Sequence, residues 1–130
     1  MYKRQARKRS RDFANVEIRR GRLESLPLED ELLDAATCVL VLHHVAEPGL
    51  ALREVARVLK PGGRLLVADM LPHDREQFRR QMGHVWLGFA DNQMRAHFAA
   101  AGFTAVSFRE LPPEPSATGP GLFVATGRKA

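Results

Sequence analysis

Two apolar segments joined by one amphipathic helix constrain the fold more than any other feature of the sequence. Residues 35–42 (AATCVLVL) and 64–69 (RLLVAD) are apolar on both alternating faces, as is typical of strands buried between helical layers. Between them, residues 47–60 follow the helical period, with Pro48 at the first helical position and KPGG as a stop signal. The three segments predict a βαβ unit with parallel strands and a right-handed crossover.

A basic helix tail, a short strand and a loop are predicted before this unit. Residues 1–14 are interpreted as the helix tail. Residues 15–21 (NVEIRRG) alternate apolar and charged side chains, which predicts a strand that Gly21 closes. Residues 23–34 are expected to form a loop that turns at Pro27.

Two helices and two strands are predicted after the unit. Residues 72–89 have helical character that weakens at their glycines, and a second helix is expected to begin with Asp91 as its cap and to end at Gly102. Alternating segments at residues 103–111 and 122–129 predict strands joined by a turn-rich loop. The fold class is therefore α/β, an incomplete doubly wound, Rossmann-like and mostly parallel sheet with an antiparallel final strand.

The segment between these two helices contains a cluster of large apolar side chains. We expect these residues to pack onto the sheet; they are Val85, Trp86, Leu87 and Phe89. A lid over a substrate, formed by Trp86, is the alternative.

Composition and length narrow the class of protein further. A chain of 130 residues with 45% hydrophobic residues is expected to form one domain, residues 1–130, and not to be disordered. The longest apolar run, residues 35–42, is too short to cross a bilayer, and no apolar segment follows the basic start as in a signal peptide. The single cysteine, Cys38, lies in that run and cannot form an internal disulfide. These features favour a cytoplasmic protein without membrane contact.

The positive charge is concentrated near the start of the chain. Residues 1–22 carry nine Lys or Arg and two acidic residues, a net +7, whereas residues 23–130 carry a net −2 within the total of +5. Such a segment is either an arm that binds nucleic acid or the solvated face of a helix. Because only Tyr2 and Phe13 supply aromatic rings, direct binding of nucleic acid is not expected.

Three stretches of the sequence resemble a known family. The run LHHV…ALREVARVLKPGGRLLVADM resembles the second half of a class I S-adenosylmethionine-dependent methyltransferase of the type 11-like group, and residues 15–45 resemble the segment before it. Residues 71–103 are similar to methyltransferase domains that follow an ArsR-type winged-helix repressor domain. The resemblance extends from about Ala6 onward. It implies S-adenosylmethionine as cofactor and a small-molecule methyl acceptor.

The glycine-rich cofactor loop of that family has no counterpart here. The glycine pairs present are Gly62–Gly63, at the turn into a strand, and Gly119–Gly121 near the end. The resemblance therefore implies an N-terminally truncated domain, with strands 3 to 7 in residues 15–130, and residues 1–5 fit the family so poorly that we expect them to be non-native. Because the family orders its strands 3-2-1-4-5-7-6, the truncation would expose an apolar edge, which predicts self-association or poor solubility. A fragment that is inactive by itself is a further alternative.

The resemblance places the cofactor against two segments. The cofactor-binding residues that it implies are Gly21, Arg22, Leu23, Glu24, Val41, Leu42 and His43. Arg22 stands where the family has an acidic residue that contacts the adenine amino group, but a guanidinium has donors only. Glu24 is expected to replace that residue in part.

His43 and His44 stand where a buried strand is expected to meet the ligand crevice of an α/β sheet. We interpret both as catalytic candidates, one facing the methyl acceptor as a base or donor and the other capping the next helix; two histidines without chemistry are the alternative. The predicted substrate-binding residues are His44, Asp69 and His73.

An alternative interpretation of the histidines is a metal site, whose candidate ligands are His43, His44, Asp69, His73, Asp74 and His84. No metal is expected, because neighbouring strand residues point to opposite faces and no known ligand spacing is present.

The implied reaction is an in-line displacement of the methyl group from a sulfonium. The protein then supplies mainly alignment and desolvation, and it needs a base only where the acceptor must lose a proton. A ligand-sensing regulatory module fused to a DNA-binding repressor is the competing function.

Overall fold

The computed structural model describes residues 6, 8–9, 11–116 and 118–130. Residues 6, 8 and 9 are helical, as expected of the basic helix tail, but residues 1–5, 7 and 10 of that tail lie outside the described residues. The described part of the chain contains no helix with the length and apolar character needed to cross a membrane.

One mixed sheet and three helices account for most of the described chain. In chain order the elements are β1 (Leu33–Val39), a one-turn 3-10 helix (Leu42–His44), α1 (Pro48–Val58), β2 (Leu59–Met70), α2 (Gln77–Met82), α3 (Asp91–Ala100), β3 (Phe103–Glu110) and β4 (Leu122–Lys129). The strand order is β1-β2-β4-β3, with β1 and β2 parallel and the other two pairs antiparallel. The predicted α/β class, with a parallel start and an antiparallel final strand, is confirmed.

The βαβ unit forms as its pattern predicts. Pro48 occupies the first turn of α1, where its missing N–H costs no helical hydrogen bond. The KPGG stop lies at the beginning of β2, where Leu33 pairs with Leu59 and the next pair joins Ala35 to Arg64. Gly62 has a φ of 82° there, which a side chain would strain.

Helices α1 and α3 share one buried cluster with one face of the sheet. The sheet residues that face this cluster are Cys38, Leu65, Val67, Phe123 and Ala125. The expectation that helices cover both faces of β1 is wrong for the described residues, since Thr37 and Val39 are exposed. Cys38 is a free, buried thiol whose pKa is raised by burial and by the nearby Asp69 carboxylate.

The strand predicted at residues 15–21 is absent from the structure. Val16 is 45% exposed, and Arg19 pairs with Glu17 at 2.8 Å while donating to the Pro27 carbonyl at 2.9 Å. An alternating segment becomes a strand only when another strand satisfies its backbone groups. Among the described residues no strand pairs with this segment or with the outer edge of β1.

Helices α2 and α3 lie where the sequence predicts helical segments, with two differences in detail. The helical character of residues 72–89 is limited to the short α2, which ends at Gly83 with a φ of 69°. Asp91 is the first residue of α3 and does not cap it: the Gln93 Oε1 atom accepts from the Ala90 N–H at 2.8 Å, while Asp91 pairs with Arg95. Gly102 ends α3 as predicted, with a φ of 93°.

The apolar cluster after α2 packs as predicted at two of its residues. Phe89 is buried, and Trp86 packs against the core and donates its indole N–H to the Val45 carbonyl at 2.9 Å. Val85 is 44% exposed, so packing is wrong for that residue. Its backbone is nevertheless fixed, because the Val85 N–H donates to the His43 carbonyl at 2.9 Å.

Candidate functional site at the carboxyl ends of β1 and β2

A sharp turn after β1 sets the direction of both adjacent histidines. The strand ends at Val39, three residues earlier than predicted, and Leu40 has a φ of 54°. Its N–H still donates to the Ala68 carbonyl in β2 at 2.8 Å. A left-handed backbone costs a leucine about 1–2 kcal/mol, so surrounding contacts must hold the turn. His43 and His44 consequently belong to the 3-10 helix and not to a strand.

His43 is held by a buried carboxylate from the neighbouring strand. Its Nδ1 lies 2.7 Å from Asp69 Oδ1, and its backbone N–H donates to Oδ2 at 3.2 Å. The Met70 N–H donates to Oδ1 at 2.8 Å. Because a carboxylate oxygen accepts, His43 carries a hydrogen on Nδ1 and leaves Nε2 as its free ring nitrogen.

The burial of this pair defines the role of the carboxylate. Asp69 has 0% of its surface exposed and His43 has 3%. A buried carboxylate is stable only when paired, and both oxygens of Asp69 already accept hydrogen bonds. This arrangement favours an orienting role for Asp69 over the predicted contact with a substrate.

Three histidine rings converge beyond this pair. The ring centroid of His43 lies 4.2 Å from that of His44 and 4.1 Å from that of His84, and the latter two are 4.9 Å apart. The His84 loop is docked on the turn after β1, because the N–H groups of Val85 and Trp86 both donate to the His43 carbonyl. The sequence pattern gave His84 no predicted role except as one candidate ligand of a metal site that was not expected.

His84 contains a polar atom without a partner. Its Nδ1 is buried and has no hydrogen-bond partner among the described residues, and 9% of the residue surface is exposed. Burial lowers the pKa of His84, and the neighbouring imidazoles of His43 and His44 lower it further. The protonated form of this ring is therefore disfavoured.

His73, predicted to bind substrate, lies beside this cluster. Its ring packs against that of Phe78, with the two ring centroids 5.3 Å apart. Its Nδ1 accepts from the Arg75 N–H at 3.2 Å, so its other ring nitrogen, Nε2, carries the hydrogen. That Nε2 is buried without a partner among the described residues. Burial lowers the pKa of His73, and the positive charge of Arg75 adds to the effect. His73 thus presents a donor, not a lone pair.

The loop predicted to bind adenine lies near the beginning of β1, whereas the histidines follow the end of that strand. Gly21, Arg22 and Leu23 line a cavity of about 470 Å³ together with Leu32 and Leu33 at the beginning of β1. The second predicted cofactor segment, Val41 to His43, follows the end of that strand. The Arg22 side chain is 83% exposed and lies 3.8 Å from Glu24. The structure therefore does not join the two predicted segments in one described cavity.

Two residues of α1 that sequence reasoning did not single out fasten this loop. The Leu26 N–H donates to Glu54 Oε1 at 3.1 Å, and Arg57 donates to the carbonyls of Leu26 and Leu28 at 3.1 and 2.9 Å. Arg57 also pairs with Glu54 and Asp30. The hydrogen bond from Arg57 is the main cause of the lowered pKa of Glu54. The sequence shows that Glu54 and Arg57 are one helical turn apart. Their partners at residues 26–30 are identified only by the tertiary structure.

Comparison with known sequences identifies relatives over about half of the chain. A sequence model described as a methyltransferase domain matches residues 1–67. A 37.1 kDa protein of a Streptomyces fradiae transposon is 48% identical over 65 residues, which are 50% of this chain and 19% of that protein. The Bacillus subtilis methyltransferase YcgJ is 47% identical over 55 residues, 42% of this chain and 22% of YcgJ. The chain thus aligns with about a fifth of each of these relatives.

Solved structures match almost the whole chain. The match to the YcgJ crystal structure has a TM-score of 0.75 at 21% identity, and it covers 96% of this chain and 76% of the YcgJ chain. A SAM-dependent methyltransferase from Thermotoga maritima has a TM-score of 0.73 at 23% identity, covering 97% and 70%. At such identities these matches show the fold alone.

Proposed function

The chain belongs to the methyltransferase domain family, and on that premise we propose that it forms part of an S-adenosylmethionine-dependent enzyme that methylates a small-molecule acceptor. The acceptor binds at the carboxyl ends of β1 and β2. The observation that carries this proposal is the buried His43–Asp69 pair at that end of the sheet. Ligands of open α/β sheets bind beyond the carboxyl ends of the strands. In this chain the imidazole of His43, oriented by Asp69, lies at that position.

The strand-end residues fit one side of the cofactor. Val39 and Leu40, where β1 ends, are 53% and 45% exposed. They offer apolar surface to the uncharged parts of the cofactor. Val41 immediately precedes the 3-10 helix, whereas Leu42, its first residue, is buried in the core and does not offer the cofactor the predicted contact. Arg22 does not fit the adenine amino group, because both partners are donors and the guanidinium is turned to solvent beside Glu24.

The bound cofactor supplies an electrophilic methyl group on a positively charged sulfur. His43 Nε2 is the ring nitrogen available to orient the acceptor or to take its proton, since Asp69 holds Nδ1. Asp69 keeps one tautomer of His43 and fixes the plane of its ring. His44, exposed beside it, is placed to contact the acceptor. The packed His43, Trp86 and Phe89 limit access of water to this end of the sheet.

Calorimetric titration of S-adenosylmethionine and S-adenosylhomocysteine into the folded chain tests the proposal. We expect both to bind, and we expect Val41→Arg to weaken S-adenosylmethionine more than S-adenosylhomocysteine, because only the former carries the sulfonium charge. Leu111→Arg adds the same charge at an exposed position just after β3, the strand at the opposite edge of the sheet from β1, and is the matched control.

Absence of binding by a folded chain would contradict a cofactor site on these residues. Equal weakening of both ligands by Val41→Arg would contradict the placement of the sulfonium. Binding without transfer to any acceptor, in a parent protein that includes the rest of the domain, would favour the ligand-sensing module. The fusion to a repressor domain and the cytoplasmic location stay predictions.

A further inference from the structure

We propose that His43, His44 and His84 bind a divalent transition-metal ion of the Zn²⁺ class. The inference goes beyond methyl transfer and does not depend on cofactor binding. When the ion is bound, His43 Nε2 is a ligand, and the base role proposed above belongs to the metal-free chain. One ring nitrogen from each residue can be chosen so that all three lie within 4.8 Å of one another. Zinc–imidazole bonds of about 2.0–2.1 Å place tetrahedral nitrogens about 3.3 Å apart. The three nitrogens are therefore at most about 1.5 Å farther apart than in a bound tetrahedral site.

The hydrogen bonds around the cluster leave a free nitrogen on each ring. Asp69 engages Nδ1 of His43, and the Gly83 carbonyl accepts from Nδ1 of His44 at 3.3 Å. The Nε2 atoms of both residues therefore keep their lone pairs. His84 offers Nδ1, which is buried and partnerless within the described chain. A buried polar atom without a partner requires a reason, and a cation between the three rings satisfies it.

The surroundings of the cluster match those of metal-bound imidazoles. Histidine ligands commonly donate their second ring N–H to a carboxylate or a backbone carbonyl, which fixes the tautomer and strengthens the ligand. Asp69 has this relationship to His43, and Gly83 has it to His44. Asp69 itself is not a ligand, because both of its oxygens accept from His43 and Met70.

The donor set selects the class of ion. Three neutral imidazoles suit Zn²⁺, Ni²⁺ or Cu²⁺ and do not suit Mg²⁺ or Ca²⁺, which prefer oxygen. His73 is excluded as a fourth ligand, since the hydrogen on its Nε2 occupies the position of the lone pair. Three protein ligands with one exposed side, at His44, leave a coordination position open to water or to an anionic group of a ligand.

Zinc binding is measured on the tag-free 130-residue chain after treatment with a chelator. Equilibrium dialysis against Zn²⁺, with the metal counted by mass spectrometry, gives the stoichiometry, and competition with a chromogenic chelator gives the Kd. We expect one Zn²⁺ per chain and a rise in Tm on adding Zn²⁺, because a ligand bound only by the folded state stabilises it. The absorption spectrum of the Co²⁺-loaded chain is expected to show the bands of a four-coordinate site.

Variants separate this site from other histidines. His44→Ala and His84→Asn are each expected to weaken Zn²⁺ binding by roughly tenfold or more. His97→Asn is the matched control, since His97 packs against Phe89 and lies outside the cluster. His44 is exposed, so its variant is expected to keep the fold even if His84→Asn does not.

Binding below one equivalent by the folded chain would overturn the proposal, and so would a His44→Ala variant with unchanged affinity. Titration of S-adenosylhomocysteine into the same variants distinguishes the two proposals. Loss of Zn²⁺ binding with cofactor binding retained supports the metal site and leaves the methyltransferase proposal intact. Retained Zn²⁺ binding in a chain that binds no cofactor supports the metal site alone.

Discussion

The imidazole of His43 and the carboxylate of Asp69 form a buried pair in which Nδ1 and Oδ1 are 2.7 Å apart. They follow the two parallel strands of the βαβ unit: Asp69 lies at the end of β2, and His43 lies in the 3-10 helix after β1. Parallel pairing places these two ends side by side, and Cys38 faces Val67 just before them. The pair therefore couples the sheet register to the orientation of His43, an imidazole that both proposals use.

Replacement of the carboxylate tests this coupling. Asp69→Asn is expected to lower the free energy of unfolding by about 1–3 kcal/mol, because the Nδ1 and backbone N–H of His43 lose a charged acceptor in a buried site. It should also change the tautomer of His43, observed in the nitrogen chemical shifts of the ring. Asp34→Asn is the control, since the side chain of Asp34 is 89% exposed in its pair with Lys60. Equal effects of the two substitutions on urea unfolding would contradict the prediction.

Arg57 is expected to hold residues 22–30 against α1. Arg57→Met keeps the apolar stem but removes the donors to the Leu26 and Leu28 carbonyls, so we expect a lower free energy of unfolding. Hydrogen exchange of the loop should accelerate more than that of β2. The exposed Arg53 on the same helix provides the control, Arg53→Met. Unchanged exchange in the Arg57 variant would show that other contacts hold the loop.

The pH dependence of stability should include a contribution from Glu54. Its pKa is lowered from the ordinary 4.5, chiefly by the hydrogen bond from Arg57. A carboxylate with a folded pKa below its unfolded value stabilises the protein above the unfolded value, and this stabilisation is lost as the pH falls through the folded pKa. Urea unfolding between about pH 6 and pH 3 should therefore depend less on pH in Glu54→Gln than in the original chain.

Glu17→Gln serves as the control for that experiment. The pKa of Glu17 is also lowered, by its hydrogen bond with Arg19, but the Glu17 side chain is 69% exposed. Screening by water leaves such a pair with little effect on stability. A pH profile that Glu17→Gln changes as much as Glu54→Gln would contradict the assignment.

The outer edge of β1 is expected to mediate self-association. No described strand pairs with it, and the exposed apolar residues near it include Leu32, Val39 and Leu40. Unpaired strand edges with apolar surface template pairing with another chain, and a lysine on the edge opposes it. Thr37→Lys should therefore shift the sedimentation profile toward monomer, whereas Ser116→Lys, in the exposed loop before β4, should not. A monomeric original chain at all concentrations would contradict the prediction.

Local pattern was sufficient for the elements whose signal lies within a few residues. The apolar period of α1, its Pro48, the glycines after it and the buried run of β2 predicted the βαβ unit, because each of these features acts through backbone geometry or nearby side chains. The same reasoning failed at residues 15–21. Alternation there describes one strand, but a strand exists only with a partner, and no local pattern supplies one.

The site at the carboxyl ends of β1 and β2 was predicted only in outline. The sequence pattern alone predicted that His43, His44 and Asp69 lie near this end of the sheet, since consecutive parallel strands bring their ends together. It assigned the histidines to opposite faces, because it extended β1 to Leu42. In the folded chain, the turn at Leu40 instead moves both residues into a 3-10 helix, and hydrogen bonds to the His43 carbonyl bring His84 beside them. Contacts between residues so distant along the chain depend on packing, which no short stretch of sequence encodes.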